Sequence, residues 1–252
     1  MIKHLIRFSM VMALGAGLMS GCASSPDKSS ADNAAPVEKL YSEAEKPFKT
    51  GNYQTAIEKF EDLESRYPYG RYAEQAQLNV AYSYYKMGES AAAVTAAERF
   101  IKLHPTHPRV DYAYYLRGLA YYQAIEGAER DPQPARNAFD TFNLLITRFP
   151  ASIYAADARL RMAKALDILG EHDLNVARYY FTRGAYIAAA NRSKQVVTTY
   201  QLTPSREEAL AIMARSYAAL GLPKLASDAA AILRKNYPNS AFLRQLGNVP
   251  NS

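Results

Sequence analysis

The sequence predicts an all-α chain of stacked helix hairpins, and three observations carry that reading. Hydrophobic residues make up 49% of the 252 residues while glycine occurs only 12 times, a balance that suits packed helices. A glycine-to-proline spacing recurs, since Gly51 to Pro68, Gly88 to Pro105 and Gly221 to Pro238 are each 17 residues. A small residue also returns at intervals of 37, from Ala44 to Ala81 to Gly118 and again from Ala177 to Ala214. Self-similarity at a period of about 20–50 residues marks chains whose units each bury one face on the next.

The stretch from Ala73 to Pro105 displays one unit. Gln77, Ala81 and Tyr84 fall at i, i+4 and i+7, so they share one face of a first helix. Beyond Gly88, the residues Ala93, Val94, Ala97, Phe100 and Ile101 form a second apolar stripe at helical spacing. Gly88 suits the break between the two helices and Pro105 cannot continue the second. Five residues after each spacing glycine stands alanine: Ala56, Ala93 and Ala226, with Gly184 and Ala189 in the same frame. Pro204 closes that fourth copy late, and counting 17 back from Pro150 gives Gln133, with Ala138 five residues on. The residue before each closing position is aromatic or histidine: Tyr67, His104, Phe149, Tyr200 and Tyr237. Tyr84, Tyr121, Tyr180 and Tyr217 each follow the small residue by three. This pattern resembles the tetratricopeptide repeat. The resemblance implies a right-handed solenoid of five hairpins over residues 38–240, with repeats near 38–71, 72–108, 109–150, 151–204 and 205–240.

One interval breaks the rule. Gly118 to Ala177 is 59 residues, or 37 plus 22. Eight of the 22 lie inside the third copy, where Gly118 to Gln133 is 15 instead of 7, and the other 14 follow Pro150. Fourteen residues are close to four turns at about 3.6 residues per turn, so this insertion predicts a longer helix whose apolar face is not rotated.

Residues 1–21 read as a signal peptide, with Lys3 and Arg7 before a short apolar run from Phe8 to Met19. A membrane span needs about 20 apolar residues, more than this run supplies. Met19-Ser20-Gly21-Cys22 resembles a bacterial lipobox, which makes Cys22, the only cysteine, the expected site of lipidation and rules out a disulfide within one chain. Residues 22–37 are rich in Ser, Asp, Ala and Pro and form an expected flexible tether. Ala23 stands where, by resemblance to lipoprotein sorting rules, an aspartate would retain the protein at the inner membrane, so the outer membrane is expected. The tail, residues 241–252, is expected to fray from Gly247 onward.

Charge and motif content narrow the function. Without residues 1–21 the basic count is 30 minus 2 against 24 acidic residues, a net +4. No basic run with interleaved aromatics accompanies it, so nucleic acid is not implied and an acidic protein partner fits. No phosphate-binding glycine loop, nucleophile elbow or paired-cysteine motif appears, and the chain is expected not to be an enzyme. His104 and His107 lie in a His-Pro-Thr-His-Pro run whose prolines dictate a turn, so no metal is expected there. The only cofactor expected is the covalent lipid on Cys22. Glu58, Glu61, Asp62 and Glu64 read as a solvated helix face.

Twenty tyrosines without a tryptophan suggest a binding surface. Tyr84, Tyr121, Tyr180 and Tyr217 are expected to pack, whereas Tyr82, Tyr85, Tyr112 and Tyr115 lie about 100° off that stripe. Tyrosine offers much contact area for little side-chain entropy, which suits an extended peptide. Arg66 and Arg71 are expected nearby to pair a terminal carboxylate, so Arg66, Arg71, Tyr82 and Tyr85 form the candidate substrate-peptide groove.

A closer resemblance rests on Arg66-Tyr67-Pro68-Tyr69-Gly70, Ala81-Tyr82-Ser83-Tyr84-Tyr85-Lys86, His104-Pro105-Thr106-His107-Pro108, Arg130-Asp131-Pro132-Gln133, Ala177-Arg178-Tyr179-Tyr180 and Asn191-Arg192. In this order they resemble the BamD family, the lipoproteins of the outer-membrane β-barrel assembly (Bam) machinery. The resemblance implies a periplasmic accessory whose N-terminal repeats receive unfolded barrel precursors and whose C-terminal half docks on the periplasmic domain of BamA. It also implies contact with BamC and other Bam lipoproteins, attachment to the outer membrane through the lipid anchor, and a BamA-facing role for Arg192. The alternative is another lipidated tetratricopeptide adaptor, such as a secretin pilotin.

Overall fold

The computed structural model describes residues 36–247 and 249, so the signal peptide, Cys22 and nearly all of the tether lie outside the described residues. Among the described residues, ten α-helices follow one another as five hairpins. They are α1 Val37–Lys49 with α2 Tyr53–Arg66, α3 Arg71–Met87 with α4 Ser90–Leu103, and α5 Val110–Gln123 with α6 Gln133–Arg148. The last two are α7 Ala155–Thr182 with α8 Tyr186–Thr199, and α9 Ser205–Ala219 with α10 Pro223–Asn236. The chain is thus an all-α solenoid of tetratricopeptide-like hairpins, as its repeat spacing predicts.

Each helix packs on its sequence neighbours, and each first helix also touches the first helix of the next hairpin. Second helices make no such contact with one another among the described residues. The first helices therefore line the inner side of the curve, and the second helices splay outward.

The same three positions bury every second helix. Counted from the spacing glycine or Gln133 they are the fifth, ninth and twelfth residues, an i, i+4, i+7 set. They read Ala56, Phe60, Leu63; Ala93, Ala97, Phe100; Ala138, Phe142, Leu145; Ala189, Ser193, Val196; and Ala226, Ala230, Leu233, all 0% exposed. Burying one large side chain of this kind contributes about 1.5–3 kcal/mol. Alanine alone fills the fifth position because it is where the paired helices approach most closely. The twelfth residue also ends the helix, since its carbonyl accepts the amide N–H of Tyr67, His104, Phe149, Tyr200 or Tyr237.

On the first helices the small residues Ala44, Ala81, Ala177 and Ala214 are completely buried. Gly118 takes the same slot in α5, and a Cβ there would stand 2.5 Å from the ring of Phe142. The large ring on α6 thus requires the missing side chain on α5. Between α3 and α4, Gly88 holds the left-handed conformation at φ 83°, and its N–H reaches back to the Tyr84 and Tyr85 carbonyls.

Both insertions take defined forms. The 14 residues after Pro150 lengthen α7 to 28 residues, about 42 Å at 1.5 Å per residue. Its first half packs into the core of the third hairpin through Ala155, Ala158 and Ala165. Its second half builds the fourth through Leu169 and Leu174. The extra residues of the third copy form the α5–α6 loop, which leans on α7 where the Ala128 carbonyl meets His172 Nδ1 at 2.9 Å.

Of the segment expected to fray from Gly247 onward, positions 248 and 250–252 lie outside the described residues, and Val249 is buried instead of loose. A 3-10 helix, Ala241–Leu246, folds back on α9 and α10, and Leu246 and Val249 are buried in the core of the last hairpin. These side chains cover apolar surface of α9 and α10.

The tight crossing at Gly118 predicts that Gly118→Ala lowers stability by about 1–3 kcal/mol by overpacking against Phe142. The surface change Glu58→Gln should stay within about 0.5 kcal/mol. Equal denaturation midpoints for the two variants would contradict this packing.

Candidate interaction surfaces

Aromatic rings run along the inner surface. Phe48 of α1 meets Tyr82 of α3 with ring centroids 5.5 Å apart, and Tyr82 lies 6.4 Å from Tyr85. Tyr154, which precedes α7, stands 5.2 Å from Tyr112 and stacks on Tyr115 at 4.7 Å. These tyrosines are half-buried against neighbouring helices and keep part of their surface exposed.

The stripe tyrosines pack as predicted, and two of them face an acid of the preceding repeat. Glu61 of α2 stands beside the Tyr84 hydroxyl and Glu98 of α4 beside that of Tyr121, and with burial as the larger cause each acid helps to raise the hydroxyl above its ordinary value. Both acids lie ten residues after their own spacing glycine, so one contact is made twice.

Two expectations require correction. The face from Glu58 to Glu64 is not uniformly solvated: Glu64 accepts a hydrogen bond from Gln77 at 2.8 Å and pairs with Arg99, joining the first two repeats. Periodicity places Glu64 on an outer edge of α2 and cannot show that α3 and α4 supply donors to it. The candidate groove is also divided. Arg71 begins α3 and Tyr82 follows 11 residues later, about 16 Å along the axis. Arg66 is exposed and paired with Asp62 at 3.0 Å, while Arg71 is exposed and donates to the Tyr72 hydroxyl at 3.0 Å. The arginines and the Tyr82–Tyr85 pair therefore occupy opposite ends of α3. An extended segment of about five residues would span them.

The two histidines join the packing of the second repeat. His104 Nε2 lies 3.0 Å from Gln77 Oε1, His107 Nδ1 accepts the Arg109 N–H at 3.0 Å, and both rings pack on Phe100. Among the described residues no group of three or more His, Cys, Asp or Glu is arranged to hold a metal.

Arg192 lies on α8 at the edge of the packed face. Its side chain is 36% exposed and pairs with Asp173 of α7, whose side chain is only 9% exposed. Nη1 donates to Asp173 Oδ1 and to Gln195 Oε1, both at 3.1 Å. One turn along α7, Arg178 grips both oxygens of Glu208 on α9, at 2.8 and 2.6 Å, and donates to Glu171 at 2.6 Å. Glu171 in turn accepts from the Ser205 hydroxyl at 3.1 Å. Bidentate arginine–carboxylate pairing fixes angle as well as distance, so this cluster sets α9 against α7.

A family model described as an outer membrane lipoprotein (YfiO) matches residues 33–233. The chain is 45% identical to the outer membrane protein assembly factor BamD of Neisseria gonorrhoeae, covering 96% of this chain and 94% of the relative. The chain belongs to the BamD family. It is 41% identical to BamD of Vibrio cholerae serotype O1 over 83% of this chain and 90% of that one. Among solved structures, a thermophilic tetratricopeptide protein of Thermus thermophilus is 18% identical, with a TM-score of 0.42 over 83% of this chain and 95% of that chain. Among the described residues of this BamD-family chain, no helix is long and apolar enough to cross a membrane.

Sequence reasoning missed Asp173, Arg178 and Glu208. The signal for Asp173 was present in the repeat frame. It stands four residues before Ala177, as Gln77 stands four before Ala81, so both polar residues face inward at a slot that is Leu40 and Leu210 in the end repeats.

Tyr115 donates to Asp157 Oδ2 at 2.6 Å. Burial, and then the Asp157 hydrogen bond and charge, push the hydroxyl up to about 12. Burial works to raise Asp157, but hydrogen bonds from Arg161 and Tyr115 outweigh it and hold the carboxyl below its ordinary value. The folded chain keeps the Tyr115 proton where an unfolded tyrosine loses it, near pH 10. This contribution to stability is therefore full below about pH 10 and falls as the pH rises toward 12. Tyr115→Phe should flatten the decline in melting temperature across that window. Parallel curves for variant and wild type would contradict the assignment.

Proposed function

We propose that this chain is the BamD-type subunit of a β-barrel assembly machine, held on the periplasmic face of the outer membrane by lipid on Cys22. The observation that carries the reading is identity of 45% to a BamD assembly factor along nearly the full length of both chains. In this reading the inner surface of the first two repeats receives unfolded barrel precursors. A precursor runs as an extended strand between the arginine end of α3, with Arg66 and Arg71, and the aromatic end, with Tyr82 and Tyr85. The C-terminal half docks on the periplasmic domain of BamA through Arg192, and BamC and other Bam lipoproteins join the same assembly. The role is that of an adaptor, with no catalytic residues and no cofactor besides the lipid.

The chemistry suits each part. A single acyl chain gives marginal membrane attachment, whereas two or more hold stably at about 0.8 kcal/mol per buried methylene. Arginine grips a partner carboxylate in two bonds where lysine offers a point charge. The tyrosine wall tolerates many sequences, as an adaptor for varied precursors requires.

Two experiments test the reading. Cys22→Ala should leave the protein soluble or unprocessed, and outer-membrane fractionation like wild type would refute lipidation at Cys22. In mild detergent, wild type should co-purify BamA and a photoreactive residue at position 82 should label precursors. Arg192→Gln should reduce BamA recovery while leaving precursor labelling intact. Gln is preferred to Glu because Asp173 would leave a glutamate at 192 facing a second, buried carboxylate. Recovery of a secretin in place of BamA, or labelling only beyond residue 150, would overturn the corresponding half of the proposal.

A further inference from the structure

We infer that Asp173 is a positioning residue for the docking arginine: it holds one edge of the Arg192 guanidinium so that the other edge is presented outward to a partner carboxylate. The inference rests on the docking role of Arg192 proposed above.

The geometry begins with α7. Asp173 stands one turn before the buried Ala177, so it faces α8 and is almost completely covered. A carboxylate so buried needs donors, and the facing helix supplies them. Arg192 Nη1 reaches Oδ1 at 3.1 Å and Gln195 Nε2 reaches Oδ2 at 3.2 Å. The Tyr200 hydroxyl, at the end of α8, faces the same group. Gln195 closes the set by accepting from Arg192 Nη1 through Oε1 at 3.1 Å. Asp173, Arg192 and Gln195 thus form a ring of three hydrogen bonds in which the donors and acceptors are all specified.

That ring has two consequences. It uses Nη1, while among the described residues no hydrogen bond is made by Nε or Nη2 of Arg192. The Nε–Nη2 edge has two parallel N–H groups at the spacing of carboxylate oxygens. It also requires a carboxylate at 173. An asparagine would offer one oxygen and one NH2. With its oxygen toward Arg192, its NH2 faces Gln195, which must then turn its amide and point its own NH2 at the guanidinium. The isosteric amide therefore breaks the ring although it fills the same space.

Immobilising a rotamer-rich side chain on binding costs about 0.5–1.5 kcal/mol, which a preset arginine has already lost. Converted at about 1.4 kcal/mol per tenfold, loss of the ring should weaken docking about two- to tenfold. The test is a double-mutant cycle on the mature lipoprotein in mild detergent, titrated with the purified periplasmic domain of BamA, with melting temperature followed in parallel. Asp173→Asn should weaken affinity by that factor when Arg192 is present and have no further effect in Arg192→Gln. An equal loss in both backgrounds, as a merely structural role would give, overturns the inference, and so does no loss in either. If Asp173→Asn does not fold, Gln195→Met, at an exposed position, runs the same cycle with the same criteria. An unchanged affinity for Arg192→Gln alone overturns the docking reading itself, and is distinguishable because it appears before Asp173 is altered.

Discussion

Everything in this chain depends on how closely two helices of a hairpin cross. Alanine near the start of each second helix and alanine or glycine on each first helix remove the side chains that would hold the axes apart. Gly118 shows how little slack the crossing has, because the ring of Phe142 occupies the space of its absent Cβ. Close approach lets the next two buried positions, from Phe60 and Leu63 to Ala230 and Leu233, lose all contact with water. Hydrophobic burial is proportional to area removed from solvent, so a wider crossing would weaken every hairpin at once. It would also disturb the stacking, since each hairpin supplies the surface that the next one covers.

Over that frame, α7 makes the middle of the solenoid rigid. First helices bridge neighbouring cores, as α3 does through Val80 and Ala81 and α9 through Ile212 and Met213, and the 28 residues of α7 do so over the greatest length, in the third core and the fourth. The Arg178 cluster extends this to the fifth repeat by tying Glu171 on α7 to Glu208 on α9. These side chains are partly exposed, so their value lies in fixed geometry more than in stability. The inner tyrosine wall and the Arg192 edge are consequently joined through continuous helix.

The apolar frame could be read in the sequence because helical geometry maps spacing directly onto facing: five in-register copies fix which positions are buried. The length of α7 was equally legible, since fourteen residues are four turns and leave the face where it was. Contacts between repeats were not. Whether Glu64 is solvated depends on Gln77 and Arg99, and neither lies on its own helix. The spread of the candidate groove was hidden for a related reason: Arg71 and Tyr82 share a helix, but the rise along it separates them more than their sequence proximity suggests. Val249 was misread because Gly247 and the polar residues around it resemble an end with nothing to pack against. The apolar residues Leu246 and Val249 instead cover apolar surface of α9 and α10.

A frame that is the same in each repeat cannot by itself distinguish one partner from another. Variation enters at the slot four residues before the small residue, which reads Leu40, Gln77, Tyr114, Asp173 and Leu210. In the inner repeats, the aromatic or histidine that ends the second helix meets it. His104 faces the Gln77 amide, Phe149 packs on Tyr114 with ring centroids 5.6 Å apart, and Tyr200 faces Asp173. Tyr237 packs on the cluster that contains Leu210. One backbone position thus becomes a neutral relay, an aromatic pair or a buried charge without altering the crossing beneath it. Only in the fourth repeat is the slot ionised, and a buried carboxylate must draw a cation from a neighbouring helix. The charged edge at Arg192 answers that requirement.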